Sequence, residues 1–279
     1  MENRKSNEDQ SPISKHATTL EDFEILTKIG KGSFGTVYKV RRKADGCIYV
    51  LKQINSSLLN PKLRDSAVNE VQILASLRHP YIVKYFDSFL ASNNLNIIME
   101  YCEGGDLETF MKKQLGKPLS ETRIWKILIQ MLTALHYIHK KNIIHRDVKS
   151  LNVFMTKDGD LRLGDLGLAK VLDFSGKMAH ASVGTPYYLS PEICEEKPYN
   201  EKTDMWSFGV ILYQLCTYKY PFEANSQSIL MSKITKGSYK ALPDAYSADL
   251  RGIIDMCLCK DQNLRCSATE LLKMRCIEF

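Results

Sequence analysis

The stretch Ile144 to Asn152, I-H-R-D-V-K-S-L-N, constrains this chain more than any other. It sets a carboxylate at Asp147, an ammonium two residues on at Lys149 and a carboxamide at Asn152. A second carboxylate follows thirteen residues later in Asp165-Leu166-Gly167. Phosphoryl transfer from a nucleotide to a hydroxyl needs these four groups. A base orients the hydroxyl, a cation offsets charge on the moving phosphoryl group, and an amide with a carboxylate holds a divalent metal. An isolated Asp-x-Lys pair in a loop is ordinarily a solvated surface feature. Here it keeps company with a Gly-rich loop, a strand lysine, a helix glutamate and a Pro-Glu pair.

At 279 residues, 44% hydrophobic and 25% charged, the chain has ordinary globular composition and room for two lobes or one large domain. The formal charge of +6 comes from scattered basic residues, so nucleic-acid binding is not expected. The eight cysteines lie mostly inside apolar runs, without C-x-x-C spacing or accompanying histidines. That argues against a zinc site or a disulfide framework and for free thiols in a reducing compartment. No signal peptide precedes the domain, and no apolar run reaches the roughly 18 to 20 residues of a membrane span, so a soluble, intracellular protein is expected.

Residues 1–19 contain one Ile and no aromatic residue, and their charges roughly cancel. Such a segment cannot bury enough apolar area to offset its ordering entropy, and a disordered leader is expected. From Phe23 the pattern turns to short β runs, Phe23 to Ile29 and Thr36 to Val40, flanking Gly30-Lys31-Gly32-Ser33-Phe34-Gly35. Glycines at a hairpin tip let backbone N–H groups approach phosphates with no side chain in the way. Alone, G-x-G-x-x-G fits any flexible turn. What narrows the reading is that a β-branched strand follows it, where a dinucleotide fingerprint would open a helix.

In the next run, Cys47 to Ile54, the residues Ile48, Val50, Lys52 and Ile54 share one face. A lysine on an apolar strand face needs an anionic partner unless it snorkels at an edge. Glu70, on an amphipathic helix from about Leu63 to Leu77, is the candidate. Strands near Val83 to Leu90 and Leu95 to Tyr101 lead into the turn Cys102-Glu103-Gly104-Gly105, where the small sheet ends and a helical half begins. Ser120 is placed to cap a long helix with Ile124, Ile127, Leu128, Met131, Leu132, Leu135 and Ile138 at helical spacing. Asp204 to Cys216 is apolar on nearly every side, the mark of a buried helix. Further helices are expected near Ser226 to Thr235, Tyr246 to Cys259 and Ala268 to Met274, with Arg265 pairing structurally with Glu192.

With these motifs in order, the chain from about residue 22 to its end resembles a eukaryotic protein kinase domain. The resemblance implies an α+β, bilobal protein-kinase fold for residues 20–279. A small antiparallel β-sheet N-lobe with one main helix would span 20–101, and a larger, mainly helical C-lobe 102–279. Carried over by position, it implies that Gly30, Lys31, Gly32 and Gly35 cover the phosphates of ATP and that Lys52 holds the α- and β-phosphates against Glu70. It implies Asp147 as the base, Lys149 as the cation on the γ-phosphoryl, and Asn152 and Asp165 as ligands of Mg2+. Val37 and Val50 would lie above the adenine and Phe154 below it, with Met99 as gatekeeper and the backbone of Glu100 to Cys102 as hinge. Within the family the chain is similar to the NIMA-related (Nek) serine/threonine kinases. The carrying segments are Y-C-E-G-G-D-L at Tyr101 to Leu107, D-V-K-S at Asp147 to Ser150, and G-T-P-Y-Y-L-S-P-E-I-C at Gly184 to Cys194. Lys149 and Thr185 mark serine/threonine rather than tyrosine kinases.

Several positions depart from the common kinase pattern. Leu166 stands where most kinases carry Phe, a smaller hydrophobic post beside the metal carboxylate. Val50 replaces the usual Ala above the adenine, and Ser190 the Ala before Pro191-Glu192. Leu151 is apolar where arginine-directed kinases carry Glu, so a peptide preference that is not strongly basic is expected. Nek resemblance implies a large apolar residue three positions before the acceptor, and Leu168 implies serine over threonine. Arg146, beside the base, matches an arginine that in related kinases receives an activation-loop phosphate. Aligned on Val183-Gly184-Thr185, the usual Nek phosphorylation position falls on Ala181, which accepts none. Either Ser182 or Ser175 substitutes for it, or the alanine was engineered in, or the loop has little need of phosphate; the residues leave these open.

The expectation is an ATP- and Mg2+-dependent serine/threonine protein kinase acting on protein Ser/Thr hydroxyls, controlled by the activation segment 165–192. The alternative is a nucleotide-binding pseudokinase or scaffold, but such chains usually lose the strand lysine, the base or the metal carboxylate, and Lys52, Asp147 and Asp165 are all present. Nek kinship implies a cytoplasmic protein with microtubule-, centrosome- or cilium-associated partners. The chain stops as the last expected helix closes, which leaves room for regulatory tails beyond Phe279.

Overall fold

The computed structural model describes residues 17–32, 35–55, 71–114, 117–164, 186–236 and 238–277. Strands β1 (Phe23–Gly32), β2 (Gly35–Arg42), β3 (Ile48–Asn55), β4 (Tyr85–Ala91) and β5 (Asn94–Glu100) form one antiparallel sheet in the order β1-β2-β3-β5-β4. Alternation on β3 sorts the side chains as its pattern requires. Val50, Lys52 and Ile54 share a face on which Ile54, Leu95, Ile97 and Val71 make one small core. Tyr49 and Leu51 take the other face and pack with Phe23, Val40 and Ile98. At Gly35 of β2 a Cβ would lie 1.8 Å from the Gln53 carbonyl oxygen, so only glycine keeps β2 and β3 paired there.

Of the leader, residues 1–16 lie outside the described residues. Thr18 hydrogen-bonds Asp87 of β4, and Thr19 opens a 3-10 turn over Leu20–Asp22, so the chain is engaged with the sheet before β1 begins. Residues 71–76 are helical and belong to the helix expected over 63–77; its earlier part, Glu70 included, lies outside the described residues. Leu74 there packs against both the sheet core and the large core of the helical half.

The helical half begins with α1 (Leu107–Lys113) and α2 (Glu121–His139). The Ser120 hydroxyl accepts the Arg123 N–H at 3.4 Å, the expected cap, and the expected stripe from Ile124 to Ile138 is buried. Gln130 shares that buried stripe because its amide is satisfied: it donates to Asp160 Oδ1 at 2.9 Å and accepts the Leu161 N–H at 2.8 Å. These bonds pin α2 to a hairpin, β6 (Val153–Met155) with β7 (Leu161–Leu163), whose strands are too short to show alternation in the sequence.

After α3 (Pro191–Cys194) comes α4 (Lys202–Thr217), buried without interruption from Thr203 to Cys216. Next come α5 (Gln227–Lys236), which packs on α3, α6 (Ala248–Cys257), which packs on α4, and the short α7 (Ala268–Leu271), which packs on α2, the last two shorter than expected. At about 1.5–3 kcal/mol for each large apolar side chain buried, this core carries most of the stability.

The expected pair of Arg265 and Glu192 locks the base of that half. Two bonds of 2.7 and 2.9 Å join the guanidinium to the carboxylate, and Arg265 donates further to the carbonyls of Cys259, Lys202 and Lys260. Its guanidinium also lies 5.1 Å from the centre of the Trp206 ring. Burial pushes the Glu192 carboxyl up, but the hydrogen bonds and charge of Arg265 outweigh it and hold the group below its ordinary value of 4.5. Ser190, buried at the start of α3, meets the Thr203 hydroxyl at 2.9 Å, which accounts for a polar side chain where an alanine is usual. Among the described residues, no helix is long and apolar enough to cross a membrane.

Candidate active site

The loop after α2 is built on one carboxylate. Asp204, at the start of α4 and 1% exposed, accepts the N–H of His145 at 2.8 Å and of Arg146 at 2.9 Å, and meets His139 Nε2 at 2.9 Å. These bonds hold Arg146 at φ 65, a left-handed conformation that costs a non-glycine residue about 1–2 kcal/mol. The buried His145 ring accepts the Asp147 N–H at Nδ1, 3.3 Å away, so Nε2 carries the proton and donates to the Gly164 carbonyl at 2.9 Å.

Within this frame the three expected chemical groups meet. Asp147 Oδ2 lies 2.8 Å from Lys149 Nζ and 2.8 Å from Asn152 Nδ2, and the same Nδ2 donates to the Asp147 carbonyl at 2.8 Å. The Asp147 and Lys149 side chains are 25% and 31% exposed, open enough to meet a substrate and buried enough to strengthen their attraction. A 3-10 turn, Ser150–Asn152, turns Asn152 back toward the base, and the Gly164 N–H then bonds the Asn152 carbonyl at 2.9 Å. Because Nδ2 of Asn152 is committed to Asp147, the atom left for a cation is Oδ1, the hard oxygen that magnesium prefers.

The sheet supplies the second set. Register places Val37 opposite Lys52 and Lys52 opposite Ile97, with Val50 opposite Met99, so Val37, Val50, Lys52 and Met99 lie on one face, and Gly30 pairs with Val37. Lys31 pairs with Thr36 on the opposite face, so a phosphate contact there falls to its backbone. Glu100 also takes the opposite face, opposite Tyr49. Its carboxylate accepts Arg162 Nε at 3.0 and 3.2 Å and the Lys84 N–H at 3.0 Å, tying β5 to β7 and leaving only its backbone for a hinge role.

Beyond Glu100 the chain turns at Cys102, whose thiol burial pushes up to about 12. The Gly104 N–H bonds the Met155 carbonyl at 2.9 Å, and a Cβ at Gly104 would come within 2.8 Å of that oxygen. The turn is thereby held against β6, where Phe154 stands two residues after Asn152 and bridges to Asp106. Glu70, Asp165, Leu166, Ser175, Ala181, Ser182 and Thr185 lie outside the described residues.

Sequence reasoning missed Asp204, counted only as the start of an apolar helix. The signal was present: it is the one acid inside α4, and a buried acid requires donors. Also missed were the Glu100–Arg162 link and a polar cluster of Glu108, Ser150, Tyr188 and Gln214, because each joins residues far apart in the chain.

A family model described as "Protein kinase domain" matches residues 23–277. Serine/threonine-protein kinase Nek1 of Mus musculus is 44% identical over 254 residues, 91% of this chain and 21% of that protein. Serine/threonine-protein kinase Nek5 of Homo sapiens is 39% identical over 260 residues, 93% of this chain and 37% of that protein. A probable serine/threonine-protein kinase, nek2 of Dictyostelium discoideum, is 42% identical over 267 residues, 93% of this chain and 64% of that protein. The chain thus spans less than two thirds of the length of these relatives.

Proposed function

The chain belongs to the protein kinase domain family, and from that premise we propose that it is a serine/threonine protein kinase that moves the γ-phosphoryl group of Mg-ATP to hydroxyls of protein substrates. The observation that carries the proposal is the bonded set Asp147, Lys149 and Asn152 on a loop held rigid by Asp204. Asp147 orients the substrate hydroxyl and takes its proton as oxygen attacks the γ-phosphorus; the bond to the β–γ bridging oxygen breaks and ADP leaves. Lys149 faces the charge on the phosphoryl group in flight.

Lys52 holds the α- and β-phosphates with Glu70 as its partner, under the backbone of Gly30, Lys31, Gly32 and Gly35. Val37, Val50 and Phe154 enclose the adenine, Met99 limits the depth of its pocket, and the backbone of Glu100 to Cys102 reads its edge. Asn152 and Asp165 would hold magnesium, which neutralises phosphate charge when bound. By the same resemblance Leu166 stands, as a smaller post, where most kinases carry Phe next to the metal carboxylate, and Thr185, Ser182 and Arg146 belong to control by the activation segment. In domain terms, 20–101 forms the nucleotide lobe and 102–279 the substrate lobe. By family resemblance alone, the reading extends to a cytoplasmic setting with cytoskeletal, centrosomal or ciliary partners.

The test is transfer of labelled phosphate from ATP to a serine peptide by wild type, Asp147→Asn and Lys52→Met. Loss of the base should lower turnover by about 10²–10⁴-fold. Equal incorporation by wild type and Asp147→Asn refutes the proposal.

A further inference from the structure

Four polar side chains from four separate elements touch in succession behind the candidate base. The Gln214 amide of α4 lies 2.7 Å from the Tyr188 hydroxyl, Tyr188 lies 2.8 Å from the Ser150 hydroxyl, and Ser150 lies 2.5 Å from Glu108 Oε2 on α1. Ser150 and Gln214 are 1% and 4% exposed. The Ser150 peptide N–H also approaches the phenol oxygen at 3.4 Å. Burial keeps the phenol protonated.

The proton count decides how this cluster works. Each hydroxyl has one proton to give. If Tyr188 gives its proton to Gln214 and Ser150 gives its proton to Glu108, the 2.8 Å contact between the two hydroxyls sets lone pair against lone pair. The conflict disappears when Gln214 turns its NH2 toward the phenol, because the two ends of a carboxamide are told apart only by the partners they meet. The chain then runs one way, from Gln214 N–H to Tyr188, from Tyr188 O–H to Ser150, and from Ser150 O–H to the Glu108 carboxylate. Lys112 Nζ, 3.3 Å from the other Glu108 oxygen, supports that charge.

We propose that Ser150 is a positioning residue for phosphoryl transfer, and that this one-directional chain, anchored on Glu108, clamps the 186–190 segment to the catalytic loop. The proposal rests on the kinase reading. Ser150 follows Lys149 directly, and Lys149 bonds Asp147 at 2.8 Å, so a shift at Ser150 reaches both cation and base. Tyr188 is held independently, by Ser207 Oγ donating to its carbonyl at 2.9 Å and by edge contact with Tyr220. Cutting the chain therefore loosens the alignment of loop and segment without unfolding either one.

The experiment measures kcat, KM and thermal unfolding with a serine peptide and Mg-ATP for Ser150→Ala, Tyr188→Phe, their double variant, Glu108→Gln and Glu108→Leu. Ser150→Ala should lower kcat about tenfold, the rate equivalent of one buried hydrogen bond at ~1.4 kcal/mol, with KM for ATP unchanged. Adding Tyr188→Phe should cost little more, since the chain is already cut. Glu108→Gln still offers an amide oxygen to the Ser150 proton and should stay within about twofold, while Glu108→Leu should fall with Ser150→Ala. A Ser150→Ala enzyme with lowered Tm and wild-type kcat overturns the proposal, as do additive losses in the double variant or equal rates for Glu108→Gln and Glu108→Leu. A wild-type chain that transfers no phosphate overturns the kinase reading and the positioning role with it, whereas coupled Tm losses at Ser150 and Tyr188 report on the chain alone.

Discussion

Replacing Asp204 by Asn removes one oxygen from the carboxylate that holds the catalytic loop and changes almost nothing else. In the native chain Oδ2 serves the His145 N–H and His139, and Oδ1 serves the Arg146 N–H. An asparagine whose oxygen keeps the two-donor side must turn its NH2 toward the Arg146 N–H, donor against donor. Losing that charge-assisted bond at a buried site costs about 2–4 kcal/mol. Part returns, because Arg146 is then free to leave its φ of 65 and recover about 1 kcal/mol of strain. The net cost of roughly 2 kcal/mol corresponds to a Tm about 4–8 °C lower, well within what a domain of this size survives. The same relaxation moves Asp147, the next residue, and a displacement of about 1 Å at a reacting group lowers turnover about 10²-fold. Scanning calorimetry at one fixed rate, beside steady-state peptide phosphorylation, measures both. A variant within about 1 °C of wild type with unchanged kcat would show that Asp204 does not hold the loop.

Two further outcomes follow from buried contacts. Glu192 sits below its ordinary 4.5 in the folded chain, so its contribution to stability is complete above that value and is lost as pH falls through the depressed one. Unfolding free energy measured between about pH 6 and pH 3 should therefore drop more steeply for wild type than for Glu192→Gln, while Glu192→Ala, which strands a fully buried Arg265, should cost about 3–5 kcal/mol at pH 7; parallel pH curves would refute this. Gly35→Ala puts a methyl 1.8 Å from the Gln53 carbonyl oxygen and should force β2 from β3, costing about 1–3 kcal/mol and raising KM for ATP. An unchanged KM would separate the hairpin from the nucleotide.

Much of the fold was legible because its signals are short-ranged. The strands fall within about three residues of their expected bounds, and the α2 stripe and the buried α4 lie where periodicity puts them, since alternation and helical spacing depend only on near neighbours. The β6–β7 hairpin was not legible, because three residues per strand carry no period. The Arg265–Glu192 pair was expected, but the reason it forms, that a fully buried arginine needs an acid, is supplied by the tertiary structure. The site divides in the same way. Asp147, Lys149 and Asn152 sit within six residues, so their motif already implied that they meet.

By itself, then, the sequence determined the longer strands and helices, which face of each is apolar, and that Asp147, Lys149 and Asn152 fall in one short motif. Tertiary structure alone decided what holds those groups in place: Asp204, 59 residues beyond His145, beneath the loop, and Tyr188, 38 residues beyond Ser150, closing the hydrogen-bond chain to Gln214. The reason is that a buried polar group takes whichever donor the packing of distant helices brings within about 3 Å, and no local pattern along the chain encodes that neighbour.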